Sequence, residues 1–205
     1  MDLAPTLFST GWAAGVNAYA TVALLNLLGR AGVGEVPDAL EGNVVLAVAL
    51  VMFGIEFVTD KVPYLDNVWD AIHTAVRPAI ASATGAAFGS EDELRGLDEV
   101  LAAGGSGVTA LASHAVKASL RLGVNASPEP ASNIVVSLLE DGAVGVVVFF
   151  AVENPEIAAA IAALLLAAGI ALTIFLWKRI RRAAAYVRER YGRGPPSRGP
   201  SAKPM

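Results

Sequence analysis

Asp66, Asp70, His73 and Arg77 recur at i, i+4, i+7 and i+11 through a stretch otherwise rich in Ala, Val and Ile. At helical spacing the four side chains share one face about 17 Å long. A second stripe, His114, Lys117 and Arg121, follows at i, i+3 and i+7. Two carboxylates, an imidazole and a guanidinium one turn apart can relay a proton, hold an ion or pair with one another. An all-basic stripe after the glycine-rich run Gly104 to Gly107 suits an anionic group such as phosphate or carboxylate. Facing lipid, each charge would cost several kcal/mol, so both stripes must face protein, each other or water.

Just upstream, Glu56 and Asp60 lie one helical turn apart, Lys61 can neutralise either, and Pro63 breaks the helix so that the chain re-enters with Asp66. Glu56, Asp60, Asp66, Asp70, His73, Arg77, His114, Lys117 and Arg121 are therefore the candidate substrate- or ion-binding residues. The alternative for the same residues is a static ion-pair network clamping helices together. Glu140 and Asp141 fall inside a further apolar stretch and project about 100° apart, so one of them can neutralise the basic stripe or serve as a protonatable carboxyl. Among Gly11, Gly15, Gly104, Gly105 and Gly107, close helix packing is the expected role.

The elements that must position these residues are read from composition. Of 205 residues 55% are hydrophobic and 17% charged, which is too apolar for a soluble domain of this size and implies a bilayer as solvent. Measured against a hydrocarbon core of about 30 Å, six candidate spans appear, at 6–28, 43–60, 66–88, 101–122, 133–152 and 156–177. The last ends in Trp177, Lys178 and Arg179, an aromatic-belt residue followed by basic anchors. The third and fourth, interrupted by the polar stripe and by the glycine run, are candidates for a broken or re-entrant helix.

Charge is sorted along the chain. Residues 1–177 carry six Lys/Arg and eighteen Asp/Glu, whereas 178–205 carry nine and one. A basic C-terminal segment is retained in the cytoplasm, and six crossings place the N-terminus there too; a single re-entrant segment would move it outside. Residues 178–191 read as a basic amphipathic helix on anionic inner-leaflet lipid, and 192–205 as a disordered tail. A nucleic-acid role is not expected of these arginines, and oligomerisation is open.

A shift of 92 residues aligns Gly15-Val16 with Gly107-Val108, Phe57 with Phe149 and Pro63 with Pro155. The reading is an all-α transmembrane bundle of two three-helix repeats, about 6–88 and 101–177. With an odd number of crossings each, the two would be inverted, and the binding site would sit at their interface. No cysteine is present, and no P-loop, G-x-S-x-G, H-E-x-x-H or dinucleotide fingerprint occurs. No catalytic residue, resident metal or cofactor is therefore expected. Asp66, Asp70 and His73 give only a weak divalent-cation signal.

The runs GWAAGVNAY (Gly11 to Tyr19), EFVTDKVPYLDNVWDAIHTAVRP (Glu56 to Pro78) and HAVKASLR (His114 to Arg121) resemble a family of small prokaryotic integral membrane proteins catalogued only as a domain of unknown function. The resemblance implies a polytopic membrane protein and assigns no activity or residue roles. The expectation is a small transporter or channel in the cell membrane that passes a small ion or anionic solute. A membrane scaffold is the alternative, and a lipid-headgroup enzyme built on His73 or His114 the third reading.

Overall fold

The computed structural model describes residues 3–90, 97–125 and 130–191. Parts of the connections between the third and fourth and between the fourth and fifth expected spans, and all of the expected 192–205 tail, lie outside them. The described chain is all helix: α1 (Leu3–Arg30), a 3-10 turn (Asp38–Leu40), α2 (Asn43–Thr59), α3 (Leu65–Ser90), α4 (Leu97–Asn125), α5 (Pro130–Glu153) and α6 (Pro155–Tyr191). These match the six apolar segments of the sequence to within a few residues, apart from α6, which continues without a break through the basic segment. Three helices, α1, most of α5 and most of α6, are long and apolar enough to cross a membrane. The 17-residue α2 is apolar but shorter.

The break in regular helix falls in α1, not in α3 or α4. Asn17, at φ −150° and ψ 98°, is extended between two helical arms, 3–16 and 18–30. Its side chain explains why the second arm can start there: Oδ1 accepts the Ala20 N–H at 2.9 Å, an N-cap three residues ahead. Pairings with neighbouring helices fix the directions of the arms. The first arm runs with α4, since Ser106, Ser113 and Lys117 donate in turn to the carbonyls of Leu7, Trp12 and Val16. The second runs with α5, from Asn17 on Asp141 to Gly34 against Val152. α4 and α5 are antiparallel, because Arg121 meets Asn133 while Lys117 meets Glu140. The two arms of α1 therefore run in opposite senses, and α1 is a hairpin with both ends at one face of the bundle.

That hairpin is the centre of the molecule. In its most apolar stretch 78% of residues are buried, against 6% in that of α6, which lies on the outside. Trp12, Val16, Leu25, Val144, Val147 and Val148 make the main apolar core between α1 and α5. Close approach to α4 depends on Gly15, where a Cβ would collide with Ser113 Oγ and the Ala110 carbonyl; Gly11 and Gly107 are similarly crowded. Gly104 and Gly105 face open space, so the packing role expected of them does not hold. α3 lies antiparallel to α4 and remains continuous through Pro78. α6 runs with α4, Gly169 lying against Val116 and Leu176 against Gly123.

Candidate functional site

Antiparallel packing turns the α3 stripe toward the α4 stripe. Arg77 donates from Nη1 to His114 Nδ1 at 2.6 Å, and His114 Nε2 lies 3.1 Å from the Asp70 carbonyl. A guanidinium has no acceptor, so Nδ1 must be the unprotonated nitrogen and Nε2–H the donor. His114 is thereby held neutral between two fixed partners. At the other end of the pair, Asn125 donates to both oxygens of Asp66 at 2.9 Å.

Three buried cations tie the helices together. Arg77 pairs with Glu56 at 2.6 Å and Asp70 at 3.1 Å. Lys117 pairs with Asp60 at 2.7 Å and lies 3.6 Å from Glu56 and 3.8 Å from Glu140. Arg121 meets Glu140 at 2.5 Å, the Asp60 carbonyl at 2.6 Å, Asn133 at 2.8 Å and Asp66 at 3.7 Å. Glu56, Asp66, Arg77 and Arg121 have no exposed surface at all. At the margin, Lys61 sits 4.0 Å from Asp141 and 3.0 Å over the Phe57 ring.

The helix break opens onto this network. An ended helix leaves carbonyls without intrahelical partners, and lipid offers none. Here the Gly15 carbonyl accepts from Arg77 at 3.3 Å and that of Val16 from Lys117 at 2.9 Å. The negative end of the first arm is thus met by two cations, as the helix dipole favours. The N-terminus of the second arm meets a carboxylate, Asn17 donating to Asp141 Oδ1 at 3.1 Å.

Formal charge does not balance. Glu56, Asp60, Asp66, Asp70 and Glu140 stand against Arg77, Lys117 and Arg121, with Lys61 and Asp141 cancelling, which leaves two surplus negative charges when all are ionised. The surplus has an address: Glu56 Oε2, Asp60 Oδ1 and both Asp70 oxygens are buried without a hydrogen bond.

Eight of the nine residues singled out from sequence thus join one network, and His73 stands apart. It stacks on Trp69 at 4.3 Å, donates from Nδ1 to the Trp69 carbonyl at 2.8 Å and accepts at Nε2 from Tyr19 at 3.0 Å. Sequence reasoning did not single out Asn17, Tyr19, Ser113, Asn125 or Asn133. The available signal was an amide inside an apolar span, Gly15-Val16-Asn17. Among the described residues, no group of three or more His, Asp or Glu side chains is arranged to hold a metal ion.

The family model described as a domain of unknown function (DUF4126) matches residues 5–175. The chain belongs to this family. The DUF4126 match runs from α1 into α6 and contains the whole charge network, while Lys178 and the arginines after it lie beyond its end. No curated protein and no solved structure matches the chain.

Proposed function

We propose that the protein is a small proton-coupled membrane transporter, with its site where the α1 hairpin meets the charge network. The observation that carries this reading is the break at Asn17, whose freed carbonyls take up Arg77 and Lys117 beside buried carboxylate oxygens that accept no hydrogen bond. Irregular backbone at membrane depth is tolerated only inside protein or along a cavity, and transporters use it to build ion and substrate sites. A surplus of two negative charges among buried side chains is met most simply by bound protons, and a carboxyl that takes up a proton can also release it. Adhesion alone requires neither feature, since small-residue packing holds helices together at lower cost.

The scaffold reading draws its support from the buried ion pairs that each of the three cations makes. A lipid-headgroup enzyme fits less well, because each histidine has both ring nitrogens engaged. With α1 as a hairpin, α2 to α6 make five passes, so the basic C-terminal segment inside places the N-terminus outside. The inverted repeat belongs to the same proposal. α2 and α5 run oppositely, as do α3 and α6, whereas α1 is a hairpin and its counterpart α4 is straight.

The test is a pH jump applied to protein reconstituted on a solid-supported membrane. Wild type is expected to displace charge with the sign of inward proton movement, and Asp70→Asn to lose that signal while remaining folded. A folded wild type that moves no charge under any pH step would leave the scaffold.

A further inference from the structure

Between the first arm of α1 and helices α4, α5 and α6 lies a cavity of about 220 Å³ that touches the network at one point. Its walls are apolar, formed by Trp12, Val136, Leu139 and Leu166 among others, and Lys117 and Glu140 carry its charge. Lys117 is already committed to Asp60 and to the Val16 carbonyl. Glu140 is not. Both hydrogen bonds from Arg121 end on Oε2, which leaves Oε1 without a partner among the described residues. The side chain keeps 16% of its surface and lines the cavity, which opens to the outside of the bundle beside the exposed Leu139 and Leu165.

We propose that this cavity binds a small hydrophobic amine or quaternary ammonium ion, its charge on Glu140 and its apolar body against Trp12, Val136 and Leu166. The inference rests on the transport reading and deepens it by naming a substrate class. An anion would meet a network that already carries surplus negative charge, and a neutral apolar molecule would leave Glu140 Oε1 without a partner. The volume lies below the usual range of about 300–1,000 Å³ for drug-sized ligands, so the occupant is small. An indole in the wall of the same cavity favours a cation further. Proton and amine would compete for one carboxylate, which is the simplest way to exchange one for the other.

The experiment is isothermal titration of the full chain in a neutral maltoside detergent, with benzyltrimethylammonium as probe and phenylacetate as its anionic counterpart. Wild type should bind the cation saturably and phenylacetate not at all. Glu140→Gln should weaken cation binding at least tenfold. Because that variant also removes a partner of Arg121, Val136→Phe provides an independent test: it fills the cavity, alters no charge and should weaken binding to the same extent. Equal binding of phenylacetate, wild-type affinity in either folded variant, or no saturable binding by wild type would overturn the proposal. So would a co-purified phospholipid, seen by native mass spectrometry, that the cation does not displace. Failure here with an intact pH-jump signal would remove the amine and leave transport, whereas binding without that signal would do the reverse.

Discussion

Neutralising a cation and neutralising a carboxylate should have very different consequences, because the network carries more negative than positive charge. Arg77→Gln removes the partner of Glu56 at 2.6 Å and of Asp70 at 3.1 Å, together with a donor to the Gly15 carbonyl and to His114. Breaking a buried pair from one side costs about 3–5 kcal/mol, since the remaining charge is stranded. In a chain of this size each kcal/mol moves the melting temperature by roughly 2–4 °C, so a fall of roughly 6–20 °C is expected. Asp70→Asn works the other way. Neither Asp70 oxygen accepts a hydrogen bond, and the attraction lost to Arg77 is offset by relief of repulsion from the other carboxylates. Its cost should not exceed about 1 kcal/mol, a shift within roughly 4 °C. Glu56→Gln added to Arg77→Gln should recover more stability than Asp70→Asn added to it, because Glu56 holds the shorter, hydrogen-bonded contact. Thermal unfolding of the four variants in detergent, followed by near-UV circular dichroism, measures this. Equal losses from Arg77→Gln and Asp70→Asn would show that the network is a set of balanced pairs, and the surplus-charge argument would fail.

Asn17→Ala removes the cap on Ala20 and the donor to Asp141 and should lower stability by about 2–3 kcal/mol, read in the same melts. Gly15→Ala should abolish folding or cost several kcal/mol, because its methyl has no room against Ser113 and Ala110; Gly104→Ala, in open space, should stabilise by up to about 1 kcal/mol. Single cysteines are clean probes in a chain that has none: Ala4→Cys and Ser90→Cys should label from one side of the membrane and Arg182→Cys from the other. Labelling of all three from one side would contradict the hairpin topology.

The helices were legible because apolar length and flanking charge are local signals, and the two stripes because helical spacing is. That α3 and α4 would turn those stripes toward each other followed from the cost of charge in lipid. The fold of α1 was not legible. Residues 6–28 are apolar enough to cross, and nothing in their length distinguishes one straight helix from two arms. The glycine run at Gly104 drew attention as a possible break, but glycine only lowers helix propensity, whereas Asn17 supplies a cap that makes a new start favourable. The surplus charge was equally hidden, because which carboxylates meet which cations depends on contacts up to 80 residues apart, as between Lys61 and Asp141.

The enclosed hairpin also sets a schedule for biosynthesis. α1 is made before the helices that wrap it, yet it carries Thr6, Ser9, Thr10, Asn17, Thr21 and Asn26, all buried in the finished protein. Lys117, which satisfies the Val16 carbonyl, is added 101 residues later. At about 5–20 residues per second the ribosome takes roughly 5–20 s to deliver it. During that interval the broken backbone must be sheltered by the insertion machinery or remain near the interface, and the last helices then close over a segment that entered first. A damaged α4 or α5 should therefore be felt when those helices come to pack on α1, and not at entry of the first apolar segment.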